Sequence, residues 1–181
     1  MWHTEKAVGH QHIYSGRIYD VERYDVELET GARAVREVIR HPGGACVVAV
    51  DAQDCLLMVR QFRFPAGREL LELPAGKLEP GEDPREGALR ELAEETGLEP
   101  KTFLSMGESF SSPGIFAEKI HLFFARDLVR GNGHPDDGEF LEVLQVPYDQ
   151  VLDMVRRGEI KDGKTLAGIL KASLLMQEQK A

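Results

Sequence analysis

The chain is poor in cysteine, short of positive charge and without any long apolar run, and each shortage removes a class of protein. Its 181 residues hold two cysteines, Cys46 and Cys55, each at the edge of an apolar run. With no CxxC and no Cys/His cluster, a zinc site has no support. Two buried thiols in a reducing cytosol is the expectation. Lysine and arginine number 22 against 31 aspartates and glutamates, a net charge of -9. That balance argues against broad nucleic-acid binding, which needs a basic patch. It leaves room for an anionic substrate, because a bound metal reverses the local sign. The opening MWHTEKAVGH has no apolar centre of signal-peptide type, and no run is long enough to span a membrane. A cytoplasmic address and no membrane partner are therefore expected. Internal repeats and low-complexity segments are also missing. The length fits one domain, with or without an extra N-terminal piece, and suffices for a proper core.

What is present reads as strands, one acidic helix, more strands and two helices. Residues 1–14 are polar, carry His3, His10 and His12, and read as a loosely docked arm rather than a metal site. Arg17-Ile18-Tyr19-Asp20-Val21, Tyr24 to Leu28 and Arg33 to Ile39 alternate at period two, with a turn at Thr30-Gly31, as in a small antiparallel sheet. His41-Pro42-Gly43-Gly44 breaks the chain. Strands are expected at 45–50, 56–64, 69–73, 103–110, 119–125 and 140–146. Residues 131–138 (GNGHPDDG) form a polar, turn-rich stretch. Helices are expected at 149–157 and 164–179, the latter with Leu166, Ile169, Leu170 and Leu174 as its apolar stripe. Elements in this order predict an α/β fold, a mixed sheet covered by helices. The boundaries are an N-terminal antiparallel region over 1–42 and a main domain over 43–181.

The chain is organised around Gly76 to Leu98, GKLEPGEDPREGALRELAEETGL. Asp83 can cap a helix, Pro84 suits its first position, Glu86 completes a capping box, and Gly97 is a natural stop. Leu89, Leu92, Ala93 and Thr96 fall on one side of the helical wheel, and Glu91, Glu94 and Glu95 on the other. Like charges at those spacings repel. A divalent cation with oxygen ligands would offset the repulsion, and magnesium suits a few carboxylates, phosphates and water. Gly87 falls on the acidic face, where a side chain would obstruct such metals. A solvated face is the ordinary reading of a charge run, but the order here is more particular. Gly76, five residues, Glu82, seven residues, Arg90-Glu91-Leu92, one residue, Glu94-Glu95, one residue and Gly97-Leu98 match the Nudix box at every fixed position.

The sequence thus resembles the Nudix hydrolases. The resemblance implies an α/β/α sandwich with the box helix packed on a mixed sheet, and cleavage of a nucleoside diphosphate linked to another group. VRQFRFPAGRELLELPAGKLE at 59–79, SSPGIFAEKIHLFFA at 111–125, DDGEFLEV at 136–143 and Lys161-Asp162-Gly163-Lys164-Thr165 look like the ADP-ribose pyrophosphatase branch. The implied reaction is Mg²⁺-dependent hydrolysis of ADP-ribose to AMP and ribose 5-phosphate, with Mn²⁺ as the alternative cation. The resemblance assigns metal ligation to Glu91 and Glu95, with Glu94 shared or orienting water, the Ala75 carbonyl, and Glu82 in an outer or structural role. Arg90 is expected to fix the glutamates. Glu139 is the first choice for the general base and Asp137 the second. Arg36, Arg63 and Glu118 are candidate substrate contacts, and Tyr19, or Ile18 beside it, is the candidate adenine platform. A homodimer with exchanged N-terminal strands and composite sites is implied; a monomer with the arm folded back is the alternative. Competing functions are hydrolysis of another nucleoside diphosphate sugar or dinucleotide, and a silent nucleotide-binding regulatory module.

Overall fold

The computed structural model describes residues 3–131 and 141–178. The chain divides into two compact units, Met1–Gly43 with Phe110–Lys119, and Gly44–Ser109 with Ile120–Ala181.

The first unit is a three-stranded antiparallel sheet in the order β1-β2-β3, with β1 at Glu5–Ser15, β2 at Asp20–Leu28 and β3 at Arg33–Arg40. The arm expected to be loose is therefore a strand. Backbone pairing holds it: β1 runs against β2 from Glu5↔Leu28 to Ser15↔Asp20, with irregularities between Ala7 and Gly9 and between His12 and Tyr14. Ladder hydrogen bonds need no apolar side chains, which is why the polar composition misleads here. Arg17 to Tyr19, expected as extended, belong to the turn that joins β1 to β2, closed by the Gly16 amide on the Tyr19 carbonyl at 2.9 Å. The second turn uses Gly31 at a φ of 79°, a conformation that glycine adopts without steric cost. Beyond β3, the Ile39 amide and carbonyl bond Ile115 and Ala117. The sheet has little core of its own: among its described strand residues only Val26 is buried.

The second unit is built on β4, Gly44–Ala49, buried along its whole length. Its neighbours are β9 (Lys119–Arg130), parallel to it, and β7 (Ala75–Lys77), antiparallel, with β8 (Leu98–Phe110) beyond β9. The short β7 is not legible in the sequence; it exists because it pairs with Gly44 to Cys46. A second, antiparallel sheet runs β10-β5-β6, from Leu141–Pro147, Cys55–Arg63 and Arg68–Glu72. Alternation along β4 sorts two apolar layers. Cys46 and Val48 join Leu56, Met58, Leu73, Tyr148, Val151 and Ile169 on one side. Ala45, Val47 and Ala49 join Leu78, Ala88, Leu92, Phe103 and Phe123 on the other. Period two in a strand produces this division, and each fully buried aliphatic side chain contributes about 1.5–3 kcal/mol. The first layer belongs to α2 (Tyr148–Arg156) and α3 (Gly163–Glu178), the second to α1 (Pro84–Thr96). Helices on both faces of a mixed sheet make the α/β/α sandwich that was expected.

Two helix faces differ from the periodicity reading. In α3 the buried residues are Thr165, Gly168, Ile169 and Ala172, while Leu170 and Leu174 are 64% and 54% exposed. Small residues set this face: a Cβ on Gly168 would lie 2.7 Å from Leu73 Cδ1, so the helix approaches more closely than a leucine stripe permits. In α1 the buried residues are Gly87, Ala88, Leu92 and Glu95, which places Glu95 on the inner side. Among the described residues no helix is long and apolar enough to cross a membrane.

Candidate active site

Local chemistry starts α1 where the sequence says. Asp83 Oδ1 accepts from the Arg85 amide at 2.8 Å and from the Glu86 amide at 3.4 Å, and Pro84 occupies the first turn. Gly97, at a φ of 69°, ends the helix and returns its amide to the Ala93 carbonyl. The helix axis thus carries Arg90, Glu91, Glu94 and Glu95 past β7.

Gly76 on β7 is where helix and strand meet. A Cβ built there would stand 2.0 Å from the carboxyl carbon of Glu91 and 2.1 Å from both of its oxygens. Only a residue without a side chain lets that carboxylate lie against the backbone. Next to it, the Ala75 amide donates to Glu95 Oε2 at 3.1 Å, and this bond permits a carboxylate only 6% exposed. Arg90 gathers the remaining acids. Its Nε and Nη2 grip the two oxygens of Glu82 at 2.9 and 3.1 Å. Its Nη1 donates to Glu91 Oε1 and to Glu94 Oε2, both at 2.8 Å. Glu82 also accepts from the Glu79 amide at 2.8 Å. The Arg90 hydrogen bonds, with that of Glu79, hold the Glu82 carboxyl below the usual carboxylate range. The guanidinium is raised in turn, first by Glu82.

Gly87 faces the loop that carries Glu82. An added Cβ would meet Leu78 Cδ2 at 2.6 Å and Glu82 Oε2 at 3.0 Å, so this glycine admits the loop that carries Glu82.

Arg90 therefore ties Glu82, Glu91 and Glu94 to one guanidinium, while Glu95 is held on the Ala75 amide beside Gly76. The carboxylates on Arg90 outnumber the guanidinium that holds them and supply hard oxygen donors. Among the described residues no three histidine, cysteine, aspartate or glutamate side chains are gathered into a ready cation site; the nearest positive charge is Arg90. The donor chemistry and the Gly76 cradle both fit a magnesium-like ion, which binds through a few carboxylates and keeps substrate phosphate and water as further ligands.

Several of the remaining candidates have partners of their own. Arg63, considered for a phosphate, is forked onto Glu72, with Nε on Oε1 at 2.7 Å and Nη2 on Oε2 at 2.8 Å. Glu72 is 1% exposed and pairs also with Lys164. Burial alone would raise its carboxyl, but Arg63 and Lys164 outweigh burial and hold it below the usual range. Sequence reasoning missed Glu72, because it closes an ordinary alternating strand; an arginine at the end of the adjoining strand was the available signal. In the first unit, Arg36 pairs with Glu5, and Glu118 stands 3.4 Å from His41 Nδ1. Tyr19 lies 6.3 Å from the ring of Tyr14, ring centre to ring centre. With Ile18, Arg40 and His41 it lines an open cavity of about 240 Å³. Asp137 and Glu139 lie outside the described residues.

Comparison with known proteins gives the family and the fold. The family model described as "NUDIX domain" matches residues 40–168. The chain is 39% identical over 180 residues to the ADP-ribose pyrophosphatase of Bacillus subtilis (strain 168), covering 97% of each. It is 38% identical over 167 residues to the methanol dehydrogenase activator of Bacillus methanolicus, covering 91% of this chain and 90% of that one. A crystal structure described as an ADP compounds hydrolase superposes with a TM-score of 0.84 at 23% identity, covering 97% of this chain and 95% of the other, and supports the fold.

Proposed function

The chain belongs to the NUDIX family, and from that premise we propose that it hydrolyses ADP-ribose to AMP and ribose 5-phosphate with Mg²⁺ as cofactor. The observation that carries the hydrolase reading is the seating of Glu91 on Gly76, with Glu82, Glu91 and Glu94 tied to the one guanidinium of Arg90. The similarity to an ADP-ribose pyrophosphatase over nearly the whole chain supports the substrate.

A diphosphate resists attack because its own charge repels the incoming water. Glu91, Glu94 and Glu95, with the Ala75 carbonyl and Glu82 behind them, would hold the cation, which supplies charge neutralisation and polarises the phosphoryl oxygens. The chain's part is placement. Arg90 locks Glu82 and spaces Glu91 from Glu94, and the Ala75 amide orients Glu95. Glu139, with Asp137 as second choice, takes the proton of the attacking water. The water oxygen bonds one phosphorus, the bridging P–O bond breaks, and the two phosphate monoesters leave. Arg36, Arg63, Glu118 and Tyr19 stay assigned to substrate contact, Arg63 with its guanidinium forked on Glu72. The protein works as a homodimer joined through its N-terminal sheet. The support is a sheet with one buried apolar residue and with Val8, Ile13, Tyr14 and Val35 exposed.

A second reading, hydrolysis of another nucleoside diphosphate sugar, is favoured by one feature. Ile18 and Tyr19 share the turn expected to hold the adenine platform, and both are exposed. The test is phosphorus NMR of the purified protein with ADP-ribose and then a diphosphate panel, with and without Mg²⁺, for the parent and Glu91→Gln. Metal-dependent AMP and ribose 5-phosphate from the parent, lost in the variant, is expected. Turnover of a different diphosphate overturns the substrate, and an active Glu91→Gln overturns the metal assignment.

A further inference from the structure

The glutamates of α1 are useful only if the strand end at 72–76 stands in a fixed place against them. Gly76 seats Glu91, and the Ala75 amide holds Glu95. A segment far along the chain, Lys161-Asp162-Gly163-Lys164-Thr165, provides that hold.

Asp162 stands just before α3 and caps it. Its Oδ2 accepts from the Thr165 amide at 3.0 Å and from the Thr165 hydroxyl at 2.6 Å. The hydroxyl proton is committed there, which leaves Oγ1 free to accept. It does so from the Leu73 amide at 2.9 Å, across 92 residues of sequence. Thr165 and Leu73 are both fully buried, so water cannot replace that bond. The residue before Leu73 is held by the same helix turn. Glu72 pairs with Lys164, whose ammonium also reaches Asp162 Oδ2 at 2.9 Å. The residue after it, Pro74, accepts from the Val47 amide at 2.9 Å. Residues 72 to 75 are thus pinned one after another, two of them by the first turn of α3. A capping threonine ordinarily serves its own helix. Here its remaining acceptor capacity goes to Leu73, in the connection that leads from β6 into β7.

We propose that Thr165 is a positioning residue for the carboxylate site: its hydroxyl, oriented by Asp162, fixes Leu73 and thereby sets Ala75 and Gly76 against Glu95 and Glu91. The kinetic part of the test rests on the hydrolase reading; the cation part does not. Valine removes the hydroxyl at nearly constant volume, and serine keeps it.

The experiment uses the full chain as parent, Thr165→Val and Thr165→Ser. Steady-state hydrolysis of ADP-ribose is measured beside binding of Mn²⁺ alone, followed by electron paramagnetic resonance. A displacement of about 1 Å at a reacting centre costs up to about a hundredfold, so Thr165→Val should lose at least roughly tenfold in kcat with KM within about twofold. Mn²⁺ affinity should weaken in step, and Thr165→Ser should stay within about threefold of the parent in both readings. Parental kcat and Mn²⁺ affinity in Thr165→Val, measured well below its melting midpoint, overturn the proposal even if that midpoint has fallen. Equal losses in serine and valine variants also overturn it. Should Thr165→Val fail to fold, Asp162→Asn replaces it, since it retains a cap acceptor and loosens the hydroxyl; the same readings decide. A parent that hydrolyses no diphosphate but binds Mn²⁺ removes the functional reading, and the Mn²⁺ comparison alone then decides for or against Thr165. A parent that binds no Mn²⁺ overturns both.

Discussion

Replacing Gly76 by alanine should separate catalysis from folding. The added Cβ lands 2.0 Å from the Glu91 carboxyl carbon, and real Cβ contacts essentially never fall under 3.0 Å. The carboxylate must therefore move by at least about 1 Å, giving up its bond from Arg90 Nη1 at 2.8 Å. The fold has little reason to suffer. Gly76 is not among the glycines held at positive φ, so alanine fits the backbone, and the group it displaces is the end of a flexible side chain. Lower entropy of the unfolded chain favours alanine by about 0.4–1 kcal/mol, which offsets part of the rearrangement. A misplacement of about 1 Å at a reacting centre costs on the order of a hundredfold, and a hundredfold in rate is about 2.7 kcal/mol of barrier. Steady-state kinetics with ADP-ribose should thus show kcat down by roughly two orders of magnitude. A thermal melt should move by less than about 4 °C, the shift for about 1 kcal/mol at this size. A variant within about threefold of parental turnover would refute the idea that the Glu91 carboxylate must lie on the Gly76 backbone. So would a variant that loses activity only by unfolding.

Gly87→Ala gains up to about 1 kcal/mol of helix propensity, yet its Cβ would push on Leu78 at 2.6 Å and Glu82 at 3.0 Å. A lower melting temperature is expected from calorimetry, and a raised one would show that the loop yields freely. Glu72 and Glu82 are both held below the ordinary carboxylate value of 4.5, so the stability they contribute is complete above that pH and is lost as pH falls through their folded values. Thermal melts should therefore fall off on the acid side. Glu72→Gln should flatten that fall while costing about 2 kcal/mol near neutrality, below the range for a fully buried pair because Arg63 is partly solvated; an unchanged acid slope would remove Glu72 from the account. Lys164 is held above its ordinary 10.5, because Asp162 and Glu72 outweigh the opposing effect of burial. Its share of stability is complete below 10.5 and is lost as pH rises further, which melts in alkaline buffer should show as a decline that Glu72→Gln reduces.

The elements whose causes are local were legible in the residues alone. Asp83, Pro84 and Gly97 bound α1 because a cap, a fixed φ and a left-handed stop act within one turn. The spacing from Gly76 to Leu98 named the glutamates, since residue type and separation suffice for that. β4 announced itself as a continuous apolar run. Tertiary structure decided everything that depends on what stands opposite. A wheel put Glu95 on the open face of α1; the Ala75 amide, twenty residues earlier, makes its burial tolerable. Arg63 forks onto Glu72, a partner that the alternation of β6 does not reveal. Leucine spacing chose one face of α3, and the close approach at Gly168 chose another. The polar arm became β1 because backbone pairing is indifferent to the side chains it carries. Desolvation of a charge is set by its partners, and partners 92 residues apart, such as Leu73 with Thr165 and Glu72 with Lys164, meet only when the sheet and helices have closed around them.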